Sequence, residues 1–307
     1  MKEDIIQSYI EAGKAAVAAK KLARKLVKPG FSYLELANKC EEEILKSGAK
    51  LSFPINISLN EIAAHYSPPI GDKTIIPEKG LLKIDIGTHA NGYIADTAIT
   101  FNIDEDPNFQ KYVDAAEAGL EAAISLIKPG IKLYELGEAI AGEIIKYGLK
   151  PIYNLGGHEL KQYNLHAGPF IPNYKDTKHS QVFKIGDAYA CEPFTTSSNG
   201  RGEVTNGKNA YIFRFIKRKT KNIPYDKLNY MTKIEKAFNH LPFSPRWIKR
   251  ENLIPSNKII STLNYFLRKK VIMHYPILIE RTKSPVAQAE HTIIIDGDGN
   301  PIVTTRE

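Results

Sequence analysis

Two acids, Asp85 in KIDIG and Asp96 in IADTA, stand among apolar residues eleven positions apart. Carboxylates are seldom buried unless they are paired or bound to a metal. Segments 80–87 and 93–103 alternate apolar and polar residues around a short His89-Ala90-Asn91-Gly92 turn, which predicts a β-hairpin. Because the turn reverses the chain, the odd spacing can place both acids on one face. They would repel each other there, and a divalent cation would resolve the repulsion. Glu192 in ACEPF and Glu290 in QAEHT form a second such pair. With residues 200–275 set aside, they occupy hairpin positions equivalent to Asp85 and Asp96. Four converging carboxylates are too much negative charge for a structural core. They suit two metal ions that share ligands and lie about 3.5–4 Å apart.

The chain has eight histidines. His158 in NLGGHEL and His166 in YNLHAG occupy loops after one helix pair, and His65 in AAHYSP lies at the matching place earlier in the chain. These three are expected near one site, as ligand or proton-transfer groups. His89 is expected in the hairpin turn, His179 in solvent, and His240 and His274 with segment 200–275 and its exit. His291, one residue past Glu290, should point to the opposite face. Rival chemistries find little support. No GxGxxG opens a helix after a strand, and no P-loop, HExxH or CxxC occurs. Cys191 neighbours Glu192 on a strand, so it should face away and pack.

An internal repeat supplies the elements that position these residues. KPGFSYLELANKCEEEILKSGAK (28–50) and KPGIKLYELGEAIAGEIIKYGLK (128–150) align without gaps at an offset of 100, with ten of 23 positions identical. Each copy follows an Ala-rich helical stretch that Pro-Gly ends, and each contains an amphipathic helix closed by Gly48 or Gly148. The chain therefore reads as a duplicated α/β half, helices first and then strands. Segment 184–196 is the analogue of the first hairpin's leading strand, and 287–296 is a strand that could pair with it.

Nearly a hundred residues separate these two strands. The intervening segment, 200–275, predicts helices over 225–241 and 254–270 and reads as an inserted subdomain, leaving 1–199 and 276–307 as the catalytic domain. The 307-residue chain has a net charge of +8. Residues 201–275 hold 17 Lys/Arg and 4 Asp/Glu, a net of +13, so the remainder carries −5. The clusters at 214–221, 246–250 and 268–270 are either a solvated face or a dock for a polyanion such as RNA. Two cysteines, Cys40 and Cys191, argue against a disulfide framework and fit a reducing, cytoplasmic compartment. No apolar run approaches the roughly 18 residues of a membrane helix. The N-terminus lacks a signal-peptide core, and nothing demands more than a monomer.

FPINISLNEIAAHYSP (53–68), KIDIGTHANGYIADTA (83–98), NLGGHELKQYNLHAG (154–168), ACEPFTT (190–196) and VAQAEHTI (286–293) together resemble type II methionine aminopeptidases. The resemblance covers essentially the whole chain, with five motifs in order and a helical insert at the type II position. The lack of a long N-terminal extension resembles the archaeal form. It implies an α+β pita-bread fold with pseudo-twofold halves, an inserted winged-helix-like subdomain and a dinuclear site for Co, Mn, Fe(II) or Zn. On this resemblance Asp85, Asp96, His158, Glu192 and Glu290 look like the metal ligands, with Asp96 and Glu290 bridging. Glu192 is also the candidate for shuttling the proton to the leaving amine. His65 resembles the target of covalent epoxide inhibitors, and His166 the histidine that contacts the scissile peptide. Phe53, Leu165 and Tyr275 fall where relatives line the methionine pocket. The expected substrate is a nascent polypeptide beginning with Met and a small residue. Proline-directed peptidases and metal-free binding proteins share the fold. The AAHYSP segment and the insert favour methionine specificity, and the complete ligand set argues against a metal-free role.

Overall fold

The computed structural model describes residues 1–216 and 221–307. The first half runs α1 (Glu3–Leu26), α2 (Tyr33–Lys46), β1 (Lys50–Leu59), β2 (Ile62–Ala64), β3 (Leu81–Ala90) and β4 (Tyr93–Asn102). The second runs α3 (Pro107–Leu126), α4 (Leu133–Lys146), β5 (Leu149–Pro151), β6 (Gly156–Glu159), β7 (Phe170–Pro172), β8 (Ala188–Cys191) and β9 (Phe194–Ser197). The repeat holds in three dimensions: α2 and α4 span equivalent residues, and both bury the shared leucine and isoleucine, Leu36 and Ile44 against Leu136 and Ile144. Ser32 caps α2 by accepting the Glu35 N–H, and Glu135 accepts the Lys132 N–H at the start of α4.

After β9 the chain leaves along β10 (Val204–Phe215), passes α5 (Tyr225–Phe238), α6 (Pro245–Arg250) and α7 (Ile259–Arg268), and returns on β11 (Ile272–Glu280). It ends with β12 (Val286–Gln288), β13 (His291–Ile295) and β14 (Pro301–Val303). Helix α6 covers the PRWI segment, for which the sequence indicated no helix, and a 3-10 turn at 256–258 precedes α7.

The sheets carry the duplication. The first half forms β1-β3-β4, all antiparallel. In the second, the strand expected over 184–196 is split at Glu192-Pro193 into β8 and β9, and its partner is split at Ala289-Glu290 into β12 and β13. β9 pairs with β12 and β8 with β13, so the interrupted hairpin does close around the long excursion. The excursion itself belongs elsewhere. β10 pairs with β11, the ladder continues past residue 275 to Glu280, and β11 pairs with β2 of the first half. One apolar cluster joins Leu36 and Ile57 to Phe243, Trp247 and Phe266. The segment is inserted in the second half but shares the first half's core.

A buried ion pair holds it there. Glu41 of α2, fully buried, accepts from both Nη atoms of Arg246 at 3.0 and 2.8 Å, from Trp247 Nε1 at 2.9 Å and from Arg250 Nη1 at 3.0 Å. Arg246 also donates to the Pro68 carbonyl and to Asn38. The 246–250 cluster is thus partly structural: Arg246 is buried and committed to the core, not displayed to a polyanion. Lys217, Arg218, Lys219 and Thr220 of the 214–221 cluster lie outside the described residues.

Candidate metal centre and its pocket

The β3–β4 ladder pairs Asp85 with Ala98 and Gly87 with Asp96. Residues 85 and 87 share a face, so Asp85 and Asp96 are diagonal neighbours on one side of the hairpin. The turn is tighter than expected. Only Asn91 and Gly92 form it, with φ of 54° and 87°, while His89 sits within β3 opposite Ile94. Its Nδ1 accepts the Gly92 N–H, and its ring meets Tyr163. Gly87 separates the two acids for a steric reason: a Cβ there would stand 2.1 Å from Phe53 Cε1. The bare backbone lets that ring reach the site.

Glu192 and Glu290 enter from the strand breaks of the second half. His158, on β6 opposite Ala190 of β8, places Nε2 3.6 Å from Asp96 Oδ2 and 3.7 Å from Glu192 Oε1. One ligand atom each of Asp96, His158 and Glu290 lies within 4.8 Å of the others. Asp85, Glu192 and these three all line one cavity of about 200 Å³. Gln288 Nε2 steadies Glu192 Oε2 at 3.1 Å. In contrast, Asp85 Oδ1, Asp96 Oδ1 and Glu290 Oε2 are buried with no hydrogen-bond partner. Buried acceptors without donors are costly, and so many in one place fit a cation.

The electrostatics agree. Burial lifts Asp85 to about 7. Burial first, and then the neighbouring carboxylates, hold Asp96, Glu192 and Glu290 well above the usual range. Four such groups stay ionised together only with compensating positive charge. Burial pushes His158 down to about 4, so the ring is neutral and has a lone pair to give.

The joint between the halves lies directly behind these side chains. Thr292 Oγ1 accepts the Asp96 N–H at 2.7 Å and donates to the Asp96 carbonyl at 2.8 Å. Thr100 does the same for Gln288, at 2.8 and 2.7 Å. Thr97 donates to the Glu290 carbonyl at 2.7 Å. Hydroxyls thus substitute for a sheet ladder between β4 and the broken β12–β13 strand.

His65, His166, Phe53, Leu165 and Tyr275 line the same cavity, so every singled-out site residue reaches it. His65 adopts φ +70°, a left-handed conformation that aims its ring from the end of β2. Its Nδ1 is 3.0 Å from the Pro276 carbonyl. A carbonyl only accepts, so Nδ1 carries the proton and Nε2 keeps its lone pair. His166 contacts His158, with ring centroids 4.4 Å apart, and stacks on Tyr275 at 6.0 Å. His166 is exposed as a residue, yet desolvation of its ring, and then the neighbouring His158, His65 and Arg214, hold it well below the ordinary histidine value. His89, His179, His240, His274 and His291 do not line the cavity. Cys191 is buried with the apolar core, and burial raises its thiol to about 12.

Sequence reasoning missed Asn56, Gln288, Ile212 and Pro242. Asn56 was findable, because β1 pairs it directly with Asp85. Ile212 and Pro242 come from the basic segment and wall the cavity, which nothing in their local sequence announces.

Residues 7–216 match metallopeptidase family M24. A methionine aminopeptidase of Pyrococcus horikoshii is 40% identical over 299 residues, spanning 97% of this chain and 99% of its own length. The chain belongs to metallopeptidase family M24. Its backbone is similar to that of a methionine aminopeptidase from Thermotoga maritima, with a TM-score of 0.71 at 21% identity, covering 100% of this chain and 98% of that one. It is also similar to a thermophilic Arx1, with a TM-score of 0.85 at 16% identity, covering 99% and 91%. At these identities the structures speak for the fold alone. This member of the family has the pita-bread fold, depends on divalent metal, and is a methionyl aminopeptidase that removes N-terminal methionine. No helix among the described residues is long and apolar enough to cross a membrane.

Proposed function

We propose that Asp85, Asp96, His158, Glu192 and Glu290 would together hold two divalent ions. The observation that carries this reading is the set of buried carboxylate oxygens without partners. The all-oxygen and nitrogen donor set accommodates Co, Mn, Fe(II) or Zn. When bound, the ions supply a water whose pKa falls from about 15.7 toward about 7. Around that chemistry the chain's own groups bind, orient and move protons. Phe53, Leu165 and Tyr275 hold the methionine side chain. His166, kept neutral by its surroundings, donates its one N–H to the carbonyl oxygen of the first peptide bond as negative charge develops there. His65 offers the Nε2 lone pair to the substrate's amide N–H. Glu192, pinned through one oxygen by Gln288, carries a proton to the departing amine with the other.

The substrate in this reading is a nascent polypeptide whose second residue is small, met in the cytoplasm by a monomer. Residues 200–275 form the inserted, winged-helix-like subdomain, and 1–199 with 276–307 form the catalytic domain. The exposed Lys249, Arg268, Lys269 and Lys270 give the insert a basic surface suited to ribosomal RNA. The decisive experiment couples metal analysis to hydrolysis of Met-Ala-Ser. Two ions per chain should accompany activity, and chelation should remove both together. Xaa-Pro peptides should be poor substrates. Full turnover by metal-stripped protein would sink the reading.

A further inference from the structure

Arg214 is a residue of β10. It follows Ile212 by two residues on β10, so both side chains leave the same face of the strand. In the ladder Ile212 faces Tyr275 and Arg214 faces Met273. That register sets the guanidinium diagonally over the Tyr275 ring, 6.0 Å from its centroid. Ile212 and Tyr275 line the cavity, and Tyr275 stacks on His166, so the guanidinium is one ring removed from His166. Burial raises Tyr275 and lowers His166, and the positive charge of Arg214 acts on both.

This cation is poorly partnered. Its Nε is buried with no hydrogen-bond partner, and Nη2 meets only Met273 Sδ at 3.7 Å, a weak acceptor. Among the described residues it makes no ion pair, although the cavity beside it holds four carboxylates. The four carboxylates line the cavity itself, whereas Arg214 stands against its Tyr275 wall. A partly buried guanidinium with open donors matches a carboxylate, which it can engage through two nitrogens.

We propose that Arg214 is a specificity-determining residue that favours substrates carrying a carboxylate just beyond the scissile bond. The inference rests on His166 marking the first peptide bond. A third-residue side chain stands about 7 Å further along an extended chain, the reach of a group one ring beyond His166. The carboxylate is either an acidic third side chain or the free C-terminus of a short peptide.

The test compares kcat/KM for Met-Ala-Asp-Gly-amide and Met-Ala-Asn-Gly-amide, and for Met-Ala-Gly as free acid and amide. The holoenzyme should prefer the charged member of at least one pair by about fivefold at low salt, and less at high salt. The first pair reports a side-chain carboxylate and the second a terminal one. In Arg214→Met the preference should fall to about one, and Arg214→Lys should keep part of it. A purely structural Arg214 would lower both members of each pair equally, which overturns the proposal. So does a wild-type ratio of one in both pairs. Failure to cleave any Met peptide overturns the underlying site assignment and the inference with it.

Discussion

In the first half, Asp85 and Asp96 sit within one unbroken hairpin, paired continuously from Leu81–Asn102 to Ala90–Tyr93. In the second, Glu192 and Glu290 sit where the corresponding strands are interrupted. The regular ladder works as a ruler: register alone decides which face the two aspartates share. The interruptions work as a joint. At the break the second hairpin bonds across the molecule, the Glu290 N–H to the Ala98 carbonyl and the Thr292 hydroxyl to both backbone groups of Asp96. The longer glutamates then reach back to the centre from displaced backbone. A second contrast lies on the helices. Glu41 anchors the inserted segment, and the residue one repeat later is Ala141, half-exposed and unable to hold an arginine. The duplicated helices have diverged at the position where only one of them has something to anchor.

The strongest way to break the comparison is to remove one carboxylate from each half. Asp96→Ala and Glu290→Ala should each lower turnover of Met-Ala-Ser about a thousandfold or more, whatever backbone carries the acid. Circular dichroism should show both variants folded, and metal should no longer raise their Tm as it does for the wild type. Near wild-type turnover in either would remove the dinuclear assignment. The next effect is on stability. Glu41→Ala leaves Arg246 buried and unpaired, so it should cost about 3–5 kcal/mol by denaturant titration. A loss under about 1 kcal/mol would mean that apolar packing, not the ion pair, holds the segment.

Much of the first half was legible because its determinants are local. The Pro-Gly and Gly punctuation, the alternation in KIDIG and the Asn-Gly turn all act over a few residues. The repeat then carried that logic to Glu192 and Glu290, and flagged His65, His158 and His166. What escaped depends on partners far along the chain. Arg246 reads as one more cation in a basic run until Glu41, 205 residues away, is placed beside it. The break at Ala289-Glu290 has no local punctuation, because the Glu290 backbone is satisfied by the other half. The pairing of β11 with β2, and the wall formed by Ile212 and Pro242, follow from the same long-range docking.

Thr292→Val and Thr100→Val test the joint at intermediate size. Each keeps the side-chain shape but leaves a buried N–H and carbonyl without the hydroxyl, at about 1–3 kcal/mol. Equal losses would show that the two bridges are equivalent; a negligible loss in either would mean that neighbouring packing already fixes that strand.

The smallest expected effect sharpens the ruler. Gly92→Ala places a side chain at φ 87°, which costs about 1 kcal/mol in backbone strain. The new Cβ would also stand 2.3 Å from the Tyr163 ring, so the ring must move. The two contributions separate in a double-mutant cycle with Tyr163→Ala. If strain dominates, Gly92→Ala costs the same in both backgrounds. If the clash dominates, truncating Tyr163 recovers most of the loss. Either way the β3–β4 register should hold, because Asp85, Gly87 and Asp96 lie several ladder pairs from the turn, and turnover should fall by less than about threefold. A larger drop in turnover would mean that the turn, not the ladder, sets the spacing of the two aspartates.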